Sequence, residues 1–177
     1  IILQISTGPT TNFASGDIVL ENLTTTGDVW IINNGLTSGS DIVQANSSML
    51  IIADSLTMDV QNGFGNGAIG DNVNRILTNV NELEARSQTG GVYIAEADGF
   101  TIGGADLGTL TGVSTSANGS IGVTATAGNI LLDELVSANG SGDVALVTNA
   151  GSIDEAGAGD AGVDIVGDLL TLTTQAG

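Results

Sequence analysis

Any chemistry this chain performs has to be carboxylate chemistry. It carries 20 acidic residues against two basic ones, Arg75 and Arg86, and it has no histidine, cysteine or lysine. Serine–histidine–aspartate and cysteine–histidine relays, lysine nucleophiles and histidine- or thiolate-ligated metals are therefore outside its repertoire. What remains for catalysis is a pair of acids acting as proton donor and base on a polysaccharide. Asp133 with Glu134 and Asp154 with Glu155 are the adjacent pairs. Neighbouring residues on a strand project from opposite faces, so neither pair converges on one bond. No catalytic residue is expected, and the chain does not read as an enzyme.

Cation binding is the other use of carboxylates. The run DEAGAGDAGVDIVGD brings Asp154, Glu155, Asp160, Asp164 and Asp168 close in sequence. Calcium takes about six to eight oxygens, and turns rich in glycine and aspartate supply both carboxylates and carbonyls. The spacing fits neither the EF-hand loop nor the calcium-binding nonapeptide of β-rolls, so a solvated acidic edge is the competing reading. Calcium is the one cofactor the residues suggest. The net charge of −18 repels phosphate backbones and anionic headgroups, which argues against nucleic acid and membrane-surface partners. Without a run of about 18 apolar residues, no membrane-spanning helix is expected. The opening IILQISTGPT lacks the basic start of a signal peptide.

These residues have to be positioned by short strands. Glycine is abundant at 27 residues, aromatics number five and apolar residues make up 41%, so the core must be built from Ile, Val, Leu and Ala. Short β-type runs separated by Gly, Asn, Asp and Ser occur at 18–20, 29–32, 50–52, 56–60, 92–94, 100–102, 121–126, 130–132, 144–148, 163–165 and 170–173. Their period is two: Ile121, Val123 and Ala125 face one way, Gly122, Thr124 and Thr126 the other. Residues 71–88 break the pattern. Val73, Ile76, Leu77, Val80 and Leu83 follow helical spacing behind a capping Asp71, while Glu82 to Arg86 also reads as a strand with Leu83 and Ala85 inward. A strand for the second half after at most one short helical turn near 72–80 is the expectation, with both arginines serving as partners of nearby carboxylates.

The strands recur. GDIVLENLTT at 16–25 returns as GNILLDELVS at 128–137, TGDVWIINN at 26–34 as SGDVALVTN at 141–149, and SLTMDVQNGFG at 55–65 as LLTLTTQAG at 169–177. The offset grows from 112 to 115 residues through an insertion near 139–141. Residues 1–177 thus read as one solenoid segment with about one and a half copies of a long module, copies 16–65 and 128–177 being completed by 71–127. Glu21-Asn22 stands in the first copy where Asp133-Glu134 stands in the second, so one acid of that pair is lost between copies. A sandwich can show the same strand spacing. Repetition of strand, Gly-Asp or Gly-Asn, strand instead favours an all-β, right-handed parallel β-helix, whose corners need left-handed residues and whose narrow interior excludes rings. Trp30, opposite Ala145 in the second copy, reads as partly buried packing. The Asn-x-Ser/Thr triplets at Asn22, Asn46, Asn118 and Asn139 read as turn asparagines before glycan acceptors.

The successions NVNELEARSQTGGVYIAEADGFTIGG, GVSTSANGSIGVTATAGNILL and GDVALVTNAGSIDEAGAGDAGVDIVGDLLTLTTQAG resemble the long repeats of filamentous-haemagglutinin-like giant surface proteins of bacteria, with Gly91 to Gly177 similar along their length. The resemblance implies a parallel β-helix shaft of an exported adhesin at the cell surface or in the extracellular space, often secreted by a two-partner route. The amino-terminal secretion domain of that pattern is not among these residues. The resulting expectation is a structural or adhesive rod whose partners are neighbouring repeats, further copies of itself end to end, and host, cell-surface or matrix glycans. The alternative is a carbohydrate-binding or carbohydrate-cleaving β-helix.

Overall fold

The computed structural model describes residues 1–5, 16–35, 39–61, 66–105, 107–157 and 162–175, and in these the backbone winds as an all-β parallel solenoid of about six turns. Strands are numbered in chain order. One sheet runs through β1 (Ile2–Ile5), β4 (Val29–Asn33), β7 (Ser55–Val60), β10 (Glu82–Ser87), β12 (Phe100–Ile102), β15 (Ile130–Leu132) and β18 (Ile153–Glu155), with β13 (Val113–Thr115), β16 (Val136–Ala138) and β19 (Ile165–Val166) beside them. The second runs through β2 (Ile18–Leu20), β5 (Ile42–Gln44), β8 (Ala68–Ile69), β11 (Gly91–Glu96), β14 (Ile121–Ala125), β17 (Val144–Thr148) and β20 (Leu170–Thr174), flanked by β3 (Leu23–Thr24), β6 (Ile51–Ile52) and β9 (Ile76–Asn79). Neighbouring strands pair in parallel, for example β4 on β7, β7 on β10, β11 on β14 and β14 on β17.

Each turn contains one long strand and one split pair, and the two exchange sides half-way along. Up to β10 the long strands lie in the first sheet and the pairs β2/β3, β5/β6 and β8/β9 in the second. Then β10 and β11, six residues each, follow one another across a tight turn. From there the long strands β14, β17 and β20 lie in the second sheet, while β12/β13, β15/β16 and β18/β19 lie in the first. The sequence copies are therefore equivalent elements on opposite sides: 16–25 supplies a split pair of the second sheet, and 128–137 supplies one of the first. The interval between them spans the β10–β11 exchange, which adds a long strand without a split pair. The spacing between register partners varies from 18 residues (Ile76 and Ile94, at the exchange) to 30 (Phe100 and Ile130).

Stacking in register sets like side chains in rows down the interior. Ile18, Ile42, Ile69, Val92, Ile121, Val144 and Leu170 are successive partners. Ile31, Met58, Ala85, Val113, Val136 and Ile165 form a second row. Side chains away from the last turn are fully buried, so each Ile or Leu adds about 1.5–3 kcal/mol of apolar transfer. Ring-poor composition follows from a cavity one strand-pair wide, and Phe100, 3% exposed, is the aromatic among the buried core residues. At the corners glycine is required where coils touch. A methyl on Gly91 (φ +90°) would lie 2.5 Å from the Ser120 carbonyl oxygen, and one on Gly70 (φ +61°) 2.6 Å from that of Tyr93.

The strand reading of Glu82 to Arg86 holds, with Leu83 and Ala85 fully buried. The helical turn near 72–80 does not form, and among the described residues there is no helix. Asp71 Oδ1 does accept the N–H groups of Val73 and Asn74 at 2.7 Å each, as a cap would. The chain then enters β9, which finds ladder partners on both β6 and β11. Helical spacing would bury Val73, yet it is 88% exposed. Strands unforeseen by the sequence reading, such as β5, β8, β13 and β16, are two or three residues long and form because their neighbours above and below already present a ladder.

If the rows carry stability, truncation should depend on direction of projection. Ile94→Ala, at a fully buried position of β11, should cost about 2–5 kcal/mol in denaturant unfolding. Val19→Ala, on the outer face of β2 and 58% exposed, should cost less than about 0.5 kcal/mol.

Candidate functional site

Several aspartates at the corners hold one coil to the next. At the entry to a strand, an N–H at or just before its first residue needs an acceptor. The residue before the strand on the preceding coil supplies one: Asp17 Oδ1 accepts from Asp41 N at 3.1 Å, Asp41 Oδ1 from Ala68 N at 2.8 Å, Ser120 Oγ from Asp143 N at 3.2 Å and Asp143 Oδ1 from Leu169 N at 3.2 Å. Asparagines do the same elsewhere. Asn22 Oδ1 accepts from Leu50 N at 2.9 Å, Asn118 Oδ1 from Ser141 N at 3.0 Å and Asn129 Oδ1 from Ser152 N at 3.0 Å. Asn118 also sits at φ 51°, the left-handed corner conformation. The recurring Gly-Asp and Gly-Asn before strands is thus a ladder device, with a role that asparagine or serine fills without charge.

The acids singled out for calcium are dispersed. Asp154 and Glu155 lie on β18, Asp164 immediately precedes β19, and Asp168 stands between β19 and β20; Asp160 lies outside the described residues. The Asp164 carbonyl accepts from Val136 N at 2.8 Å, and the Asp168 N–H donates to the Gly142 carbonyl at 2.8 Å. Asp154 Oδ2 accepts a hydrogen bond from Ser152 Oγ. Among the described residues no three acids gather closely enough to hold a metal ion. Asp133 and Glu134 occupy the bend between β15 and β16, where Asp133 is exposed and Glu134 turns beneath residues 103–112, its Oε2 accepting from Gly112 N at 2.6 Å.

Two buried acids were not legible beforehand. Glu84 is 3% exposed on the outer face of β10, and burial, followed by the charge of Glu134, pushes its carboxyl up to about 7. Glu96 points inward at a corner, fully buried, with Oε1 accepting from Val80 N at 2.9 Å. Burial pushes it up to about 7 as well. Its second oxygen and the hydroxyl of its register partner Thr78 are both buried without a partner, which a proton on the carboxyl would allow to pair. The only sequence signal was an acid at the inward end of the GVYIAE alternation.

The two cations do different work. Arg86 makes a bidentate ion pair with the buried Asp59, at 2.9 and 2.8 Å, as the sequence led one to expect. Arg75 instead lies over the second sheet and donates to the Gly122 carbonyl at 2.9 Å and Thr124 Oγ1 at 3.1 Å. Near it is an open groove of about 420 Å³ lined by Gln44, Asn46, Asn72, Asn74 and Arg75 over Leu77. No carboxylate lines it, so it offers no acid–base pair. Its polar groups largely brace their own turns: Gln44 Nε2 donates to the Met49 carbonyl at 2.8 Å, Asn46 Oδ1 accepts from Ser48 N at 3.0 Å and Asn72 Oδ1 accepts from Arg75 at 3.3 Å.

The raised carboxyl of Glu96 has a signed consequence. The folded chain holds this proton more tightly than the unfolded chain, so the stability it contributes is complete below about pH 4.5 and is lost as pH rises through about 7. The melting temperature should fall by several degrees between those limits, and Glu96→Gln, uncharged throughout, should flatten part of that fall in thermal scans by circular dichroism. Compared with known proteins, the chain matches no family model, no curated protein and no solved structure, so the ladder rather than likeness to a relative carries the reading that follows.

Proposed function

We propose that the chain is a rod segment of a large exported bacterial surface protein, structural or adhesive and non-catalytic. The observation that carries this is the unbroken interior row from Ile18 to Leu170, which spans the coils. About six turns at about 4.8 Å each make a shaft roughly 30 Å long, stiffened by continuous backbone ladders. The resemblance of residues 91–177 to filamentous-haemagglutinin-like repeats supports placement at the cell surface. Asp17, Asp41 and Asp143, which brace the corners, support a structural reading of part of the charge.

The last turn supports partners along the axis. Leu170 and Leu172 stack on the fully buried Val144 and Leu146, yet they are 46% and 49% exposed, because β20 has a neighbour on one side. A neighbouring repeat of the same polypeptide, or another copy end to end, would cover them and complete the ladder. A second reading, a carbohydrate-binding β-helix, is favoured by the amide-lined groove beside Arg75 and is kept for host, cell-surface or matrix glycans.

Sedimentation across a concentration series tests the axial version. The chain should form end-to-end oligomers whose size grows with concentration, and Leu170→Lys with Leu172→Lys should leave a monomer with unchanged circular dichroism. A wild-type chain that stays monomeric at high concentration would exclude the filament, and glycan-array binding lost in Arg75→Ala would move the reading to the groove.

A further inference from the structure

We propose that the groove beside Arg75 binds a single sugar acid, a uronic-type residue on an otherwise neutral glycan, whose carboxylate pairs with the Arg75 guanidinium. The inference rests on the carbohydrate reading of this groove and adds the charge of the ligand. With two basic residues against 20 acids, each cation has carboxylates in excess to choose from. Arg86 takes one, Asp59. Arg75 takes none, and among the described residues no carboxylate pairs with it. Its Nη1 donates to the Gly122 carbonyl, to Thr124 Oγ1 and, at 3.4 Å, to the Ile94 carbonyl, while Nη2 reaches the Asn72 amide oxygen. All of these acceptors are uncharged. A half-buried guanidinium without a counter-ion has lost hydration that no opposite charge offsets, and burial accordingly lowers its proton affinity.

The second sheet makes room for that cation. A methyl on Gly122, an outward position of β14, would lie 3.3 Å from Arg75 Nη2 and 3.0 Å from the Tyr93 ring, so the missing side chain lets the guanidinium rest against the strand. Arg75 Nε bonds no described residue, and Nε with Nη2 forms the planar fork that a carboxylate matches with two parallel bonds. The surroundings suit a sugar ring. At about 420 Å³ the groove is of small-molecule size, and Leu77 and Ala95, register partners on β9 and β11, line it with an apolar patch for the C–H face. The amide nitrogens of Asn46 and Asn72 bond no described residue, and Gln44 Oε1 is buried without a donor; ring hydroxyls supply both kinds of partner. No acid lines the groove. Asp71, on the same loop, is turned into its own bend, accepting from Val73 N, Asn74 N and Asn74 Nδ2. The net charge of −18 limits what can carry the carboxylate. A polyanion would be repelled along its length, whereas one carboxylate meets the local cation, and charges beyond about 8 Å are largely screened at physiological salt.

Two arginines give two Nε–H resonances, and Arg86, held on Asp59, is the internal control. Titrating the isotope-labelled chain with methyl glucuronide at about 0.15 M ionic strength should shift the Arg75 Nε–H and the amides of 44–46 and 72–77 to saturation, leaving Arg86 and β17 unmoved. Methyl glucoside, the ring without the carboxylate, and acetate, the carboxylate without the ring, should each bind at least about ten-fold more weakly. Arg75→Lys, which keeps the charge and loses the fork, should also weaken methyl glucuronide about ten-fold. Asn72→Ala leaves the bonds from Arg75 to β14 in place and should weaken binding several-fold with unchanged far-UV circular dichroism, so the result does not hang on how well the arginine variant folds. Equal binding of methyl glucoside would keep the carbohydrate reading and overturn the acid, and equal binding of acetate would leave a carboxylate site without sugar recognition. Silence at 44–46 and 72–77 with all three probes would remove the carbohydrate reading together with the proposal. Binding undiminished in both variants would place the ligand elsewhere and overturn it as well.

Discussion

Everything in this molecule depends on parallel strands meeting their successors in register. A parallel ladder satisfies each backbone group only if the coil above and the coil below keep the same phase. Phase in turn puts Ile on Ile and Val on Ile down one interior line, so hydrogen bonding and apolar burial reinforce one another. A slip of one residue would turn the whole row outward. Coils therefore vary at their corners, with register partners 18 to 30 residues apart, without varying along their strands.

Corners are where that constraint is most exposed, and the unusual composition is explained there. An amide at or just before the start of a strand is accepted by aspartate, asparagine or serine from the previous coil. A chain with a net charge of −18 thereby spends part of its acid on structure. Self-repulsion along such a stack must be offset by the rows, with a single bidentate ion pair at Asp59 and Arg86 among the described residues. Among the buried acids, Asp59 is paired with Arg86, while burial pushes the carboxyls of Glu84 and Glu96 up to about 7.

How much of this was legible follows from what short-range pattern encodes. The aliphatic runs at 18–20, 100–102, 130–132 and 144–148 match strand bounds residue for residue, because alternation inside a two-sheeted interior is a local property. The repeated segments fall on like elements, split pairs on split pairs and long strands on long strands. It could not reveal that the copies face opposite ways, since the exchange at β10 and β11 depends on which neighbour each strand meets. Residues 72–80 misled because a capping aspartate and helical spacing are local, whereas β9 is imposed by β6 and β11. With Leu83 and Ala85 inward, Glu84 falls on the outer face, and nothing in the local pattern reveals that it is buried there.

The most direct test of the parallel stack is a nuclear Overhauser map of backbone contacts between β11, β14 and β17. The account predicts contacts linking Ile94 with Val123 and Val123 with Leu146, running in the same direction along all three strands. Contacts that run in opposite directions between successive strands, as hairpins of a sandwich give, would contradict it.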